Sequence, residues 1–181
     1  MKIERIGLVG HGEVGRIFSA GLRGQDGVTA VGAWDLKFAA SATRDAELAH
    51  AARQGVTAHA SMATLCAASD LVISAVTASN TLAVAQEAAR HIRAGTVFLD
   101  LNSASPGTKQ QAAAAIEAAG ALYVEAGVMT SVPPYGIRVP MLLGGAQAAA
   151  LATVASMPSA ASTGCRRAAC APPSSMGTRM P

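Results

Sequence analysis

Aromatic residues are nearly missing from this chain: one Trp, two Tyr and three Phe make up 3% of 181 residues. A core must therefore be packed from Ala, Val, Leu and Ile. Charge is scarce as well, 14% against 51% apolar residues, a balance that suits a well-buried α/β core. No apolar run approaches the roughly 18 residues needed to span a bilayer. Lys2 and Arg5 are followed by too few apolar residues before His11 to make a signal peptide, so the expected location is cytoplasmic. The three cysteines are odd in number and without repeated spacing, which argues against a disulfide framework. Four histidines (His11, His50, His59, His91) show no metal-ligand spacing. His11 is expected to project outward and the others to lie on the surfaces of helices or turns. No metal site is expected.

The formal charge of +3 comes from the end of the chain, where Arg166, Arg167 and Arg179 have no acid near them. The body up to Met157 is neutral, and with so few aromatics it gives no support to nucleic-acid binding. From Pro158 to Pro181 there is no Leu, Ile, Val, Phe, Tyr or Trp. Such a segment cannot bury enough apolar surface to offset its ordering entropy. Two readings stay open, a flexible tail and the out-of-frame text of a GC-rich gene. Cys165 and Cys170 have no further Cys or His beside them and make no metal site. The expected division is 1–157, one folded domain, and 158–181, an irregular end.

What the chain does have is punctuation. Ile6 to Gly15 reads IGLVGHGEVG, a short apolar stretch running straight into Gly10-His11-Gly12-Glu13-Val14-Gly15. In a dinucleotide-binding turn the first glycine allows the tight turn and the second lets backbone approach a pyrophosphate. The third lets the next helix pack closely, with its N-terminus facing the phosphates. An amphipathic run (Ile17, Phe18, Leu22) follows, and an acid, Asp35, stands about 20 residues beyond Gly15. Strand signals fall at Arg5–Val9, Val28–Trp34, Val56–Ala58, Leu71–Val76, Val97–Leu101, Leu122–Glu125 and Val139–Leu143. Helical signals cover 12–24, 39–54, 62–68, 79–92 and 106–120, with Ser105 and Pro106 as cap and first residue, and a last helix begins near Ala146. This alternation predicts an α/β fold: a doubly wound, mainly parallel Rossmann sheet with helices on both faces.

The candidate site follows from that fold. Asp35, ending the second strand, can accept the hydroxyls of an adenosine ribose and would repel a 2′-phosphate, favouring NAD over NADP. Lys37 could soften that preference. Val76 and Thr77 leave the fourth strand at the carboxyl edge, where open α/β sheets bind ligands. Asn102 and Ser103 leave the fifth strand at the same edge, near the place of a nicotinamide ring. The turn itself (Gly10, His11, Gly12, Glu13, Val14, Gly15), Asp35, Val76, Thr77 and Asn102 are the cofactor candidates. No Ser-His-Asp constellation or carboxylate pair is visible, and no catalytic residue is assigned.

Four segments together, IGLVGHGEVG, SDLVISAV, FLDLNSASPGTKQQAA and ALYVEAGVMTSVPPYGIRVPMLLGG, resemble the cofactor domain of the β-hydroxyacid dehydrogenases. That group includes 3-hydroxyisobutyrate and 6-phosphogluconate dehydrogenases, and the resemblance runs from Lys2 to Gly145. Asp100, Asn102, Ser103 and Pro106 stand where the family has Asp-x-Ser-Thr-x-x-Pro. The family's substrate loop is only loosely kept as Glu125 to Ser131, with Thr130 and Ser131 where a Gly-Gly pair is usual. The resemblance implies hydride transfer between NAD(P) and a small hydroxyacid, with Ser103, Thr130, Ser131 and Arg138 on the substrate side. It also implies a following helical domain that supplies a lysine acid/base and most of the dimer interface. Here the last lysine is Lys109. The expectation is therefore an incomplete oxidoreductase that could self-associate through an exposed C-terminal face. The alternatives are a non-catalytic nucleotide-binding module and, less well matched by the glycine spacing, an S-adenosylmethionine methyltransferase.

Overall fold

A computed structural model describes residues 2–149 and Leu151. Seven strands form one sheet: β1 (Arg5–Val9), β2 (Ala30–Trp34), β3 (Thr57–Ala58), β4 (Leu71–Ser74), β5 (Val97–Asp100), β6 (Leu122–Val128) and β7 (Met141–Gly144). Their order is β3-β2-β1-β4-β5-β6-β7. All neighbours are parallel except β6 and β7. The helices are α1 (Glu13–Arg23), α2 (Arg44–Arg53), α3 (Met62–Ala68), α4 (Thr81–Ala89) and α5 (Pro106–Ala118). This is the expected Rossmann-like architecture.

Strand alternation divides the interior into two cores. Ile6 and Leu8, Leu71 and Ile73, Val97 and Leu99, and Val124 and Ala126 face one side with Phe18, Phe38 and Ala51. Val9, Val72, Phe98 and Tyr123 face the other, against Leu65, Ala85, Ala88, Ala112 and Ile116. The second core shows how a chain poor in aromatics packs. Phe98 and Tyr123 stack at 6.2 Å between ring centroids, and buried alanines let α4 and α5 come close to them.

Several elements are shorter or longer than expected, each for a local reason. Strand β2 starts at Ala30 because Val28 is still held in a turn by Gln25, at 3.2 Å. Helix α2 begins only at Arg44, because Asp35 caps a single 3-10 turn at Leu36–Phe38 and Thr43 Oγ1 donates to the Lys37 carbonyl. Strand β6 runs on to Val128, since Glu125 to Val128 pair with β7, so half of the expected substrate loop is sheet. Residues 158–181 lie outside the described residues, and of the last helix only its start at Ala148, Ala149 and Leu151 is described. Among the described residues no helix is long and apolar enough to cross a membrane.

Candidate functional site

The strand order reverses between β1 and β4, and the chain opens there at its carboxyl edge. On the β1 side the turn is held by backbone. Gly10 N–H donates to the Trp34 carbonyl at 2.9 Å, fastening the turn to the end of β2. Gly10 has φ +94°, and a Cβ there would strike the Ala75 carbonyl oxygen. Gly15 lies so close to the Gly10 carbonyl that α1 could not seat with any side chain at that position. Gly12 is different: φ is −76° and a Cβ would meet nothing within 4 Å. Gly12 is also the N-cap of α1 and supplies no capping side chain for the first-turn N–H groups. An empty approach to an uncapped helix N-terminus fits a pyrophosphate.

Asp35 sits beside this approach. Its Oδ2 accepts from the His11 N–H at 2.6 Å and its Oδ1 from the Lys37 N–H at 2.9 Å. The carboxylate therefore braces the turn, and it remains part-exposed with lone pairs to spare. Glu13 and the Lys37 side chain are exposed.

His11 does not project outward. It is fully buried, its ring 5.5 Å from Phe38 and 5.8 Å from His50, and neither ring nitrogen has a hydrogen-bond partner. Its N–H is taken by Asp35 and its carbonyl by Arg16 Nε at 3.1 Å, which leaves the side chain to pack under α2. Arg16 is itself paired with Glu47 at 2.5 Å. Burial first, then the charges of Arg16 and His50, holds the imidazole below its usual range. His50 and His59 are half-buried rather than exposed. His50 Nε2 is buried without a partner, and the His59 ring fills the space beside Gly32, its pKa lowered by burial. His91 is exposed, as expected, and meets Glu87 at 3.1 Å.

On the other side of the switch point lies a cleft of about 340 Å³. Val14 from α1, Ala75, Val76 and Ala78 after β4, Leu101, Asn102 and Ser103 after β5, and Val128, Thr130 and Val132 after β6 line it. The structure thus brings Val14, Val76, Asn102, Ser103 and Thr130 together. It does not bring Thr77, which meets Ser79 at the surface, or Ser131, which precedes a short helical turn. Arg138 is exposed on a 3-10 turn whose Ile137 packs on Gly21 of α1. Among the described residues, no side chain lining the cleft is ionisable.

The ionisable groups lie behind it, and sequence reading passed over most of them. Asp100 is fully buried, and Tyr123 Oη donates to its Oδ2 at 2.7 Å. Lys109, 5% exposed, lies 3.3 Å from Asp100 Oδ1 and 3.8 Å from Glu125 Oε1. Burial, and next the bond to Asp100, raises the Tyr123 phenol pKa far above its ordinary value. Lys109 lines a separate cavity of about 330 Å³ against α5, not the cleft. The available signal was an acid at the end of VFLD, a strand buried on both faces.

The sequence profile of the NAD binding domain of 6-phosphogluconate dehydrogenase matches residues 5–170. No curated protein matches the chain. Among solved structures, a conserved hypothetical protein from Sinorhizobium meliloti is 38% identical with a TM-score of 0.79, covering 85% of this chain and 50% of that one. A conserved protein of unknown function, described as structurally similar to 3-hydroxyacid dehydrogenases, is 30% identical with a TM-score of 0.68; the match covers 83% of this chain and 54% of that one. A Mycobacterium tuberculosis 3-hydroxyisobutyrate dehydrogenase with L-serine shares the fold at 23% identity and a TM-score of 0.70, covering 83% and 50%. The chain spans about half the length of these structures.

Proposed function

The chain belongs to the family of the 6-phosphogluconate dehydrogenase NAD-binding domain, and from that premise we propose that it holds a nicotinamide dinucleotide across the carboxyl edge of its sheet. The observation that carries this reading is the open space at Gly12 before the uncapped N-terminus of α1, with Asp35 beside it. In the proposed pose the pyrophosphate lies at Gly12, and Asp35 receives the adenosine ribose hydroxyls, favouring NAD over NADP. The nicotinamide end enters the cleft of Val76, Asn102 and Ser103. Titration with NADH, followed by energy transfer from Trp34, the chain's only tryptophan, tests the pose. Saturable transfer is expected, and its absence overturns the reading. Stronger thermal stabilisation by NADP than by NAD would overturn the role of Asp35.

The activity we propose is that of the cofactor half of a hydroxyacid-type oxidoreductase, with a small hydroxyacid meeting Ser103 and Thr130. When bound, the nicotinamide supplies hydride transfer. The hydroxyl proton must also find a base, and the cleft's described lining contains none. That same observation favours a second reading, a nucleotide-binding module without turnover. Reduction of NAD in the presence of 3-hydroxyacids separates the two. Binding without reduction removes the first.

A further inference from the structure

We infer that Asn102 is a positioning residue that sets the nicotinamide end of the cleft, held in place by a buried Lys109–Asp100–Tyr123 cluster behind the sheet. The inference rests on the dinucleotide reading above and names what shapes that site.

The last paired residues of β4 and β5 are Ser74 and Asp100. One ladder bond follows, from the Leu101 N–H to the Ser74 carbonyl at 3.0 Å, and then the two chains part to form two walls of the cleft. The Asn102 side chain bridges the gap. Its Oδ1 accepts from the Val76 N–H at 2.7 Å, and its Nδ2 donates to Ser74 Oγ at 3.0 Å. The amide orientation is fixed by chemistry, because a backbone N–H can only donate and so must face the oxygen. With 5% of its surface exposed, Asn102 serves as a tie between the walls, and both arms of its amide are engaged within the chain.

The tie is anchored from behind. Asn102 N–H donates to Asp100 Oδ1 at 2.8 Å. Strand alternation turns Asp100 toward α5, the side of Phe98 and Tyr123, where Tyr123 and Lys109 take up its oxygens. A buried ion pair is a poor route to stability, because desolvation offsets much of its attraction. What it gives here is direction: a carboxylate fixed from two other elements leaves one place for the Asn102 backbone. Lys109, the last lysine of the chain, is accounted for as a counter-ion.

The test compares NADH with ADP-ribose, which lacks the nicotinamide and so bypasses the tie. In Asn102→Ala, NADH binding is expected to weaken about tenfold while ADP-ribose changes less than about twofold, the size of effect that orphaning the buried Val76 N–H predicts. Tyr123→Phe keeps the ring on Phe98 and removes only the hydroxyl. It is expected to shift NADH in the same direction, about threefold, with the same selectivity. Equal weakening of both ligands in these variants would show a merely structural role and overturn the inference, as would unchanged NADH binding. A wild-type chain that binds neither ligand would instead sink the dinucleotide reading itself. If Asn102→Ala does not fold, Tyr123→Phe decides alone.

Discussion

The two halves of the candidate site are built by different means. On the β1–β2 side the shape comes mainly from backbone, with a positive φ at Gly10, a carbonyl lodged where Gly15 has no side chain and an N–H fastened to Trp34, and the Asp35 carboxylate braces the result. On the β4–β5–β6 side it comes from side chains, with Asn102 tying two walls and Asp100, Tyr123 and Lys109 holding Asn102. The first half spends steric room, so its residues are small and adjacent in sequence. The second spends desolvation, so its residues are polar, buried and drawn from three separate elements. Each half should therefore fail in its own way when altered.

The largest failure is expected in the second half. Lys109→Met leaves Asp100 buried with its charge unmatched, and breaking such a pair costs about 3–5 kcal/mol. Urea unfolding of the variant should show that loss. Adding Asp100→Asn should recover much of it, because the orphaned charge and not the missing attraction is the main cost. A single variant within about 1 kcal/mol of wild type would mean that solvent reaches Asp100 and that the cluster is no anchor.

The first half gives a sharper contrast within one motif. Gly10→Ala forces an alanine into positive φ and against the Ala75 carbonyl, and should cost about 2–4 kcal/mol of stability. Gly12→Ala meets no atom and keeps an allowed φ. Its stability should stay within about 0.5 kcal/mol of wild type. NADH binding should nonetheless fall, because the added methyl occupies the approach to α1. Equal losses of stability in the two variants would erase the distinction between a glycine needed by the fold and one needed by a ligand.

This contrast also explains what the sequence made legible. The glycine turn, Asp35, the alternation of strands and helices and the Ser105 cap all rest on residues close in the chain, where spacing alone carries the geometry. Val76, Asn102 and Ser103 could be placed at one edge because strand ends gather there. The Asp100 cluster was not found, because nothing local says that Lys109 folds back over β5 or that Tyr123 points at it. The place of Thr77 and Ser131 outside the cleft, and of Arg138 over α1, depends on how short turns pack after β4 and β6, which periodicity does not report. His11 was misplaced for a related reason: glycine spacing gives the path of the turn, while Phe38 and His50, which bury the ring, arrive from two later elements.

The His11 side chain tests whether a buried ring contributes anything to the shape of the first half. Two imidazole nitrogens are buried there without partners, a cost the turn carries for no gain in shape. His11→Leu keeps the packing against Phe38 and should raise stability at neutral pH by about 1 kcal/mol. The variant should also be less sensitive to acid. Burial holds the folded His11 below its ordinary 6.5, so the unfolded chain takes up a proton first as pH falls. The wild type should have its full stability above about pH 6.5, lose it progressively down to the lowered folded value, and level off below that. His59, also lowered by burial, adds a slope of the same sign that His11→Leu would leave behind. Asp70 does not interfere, because its hydrogen bond to Arg5 holds its pKa to about 2 and its contribution fades only at more acid pH. Stability curves at pH 7.5 and 5 therefore isolate the residue. A loss of stability at neutral pH would mean that the buried ring contributes to the turn, and an unchanged acid slope would mean that His11 is not the group whose protonation opposes folding.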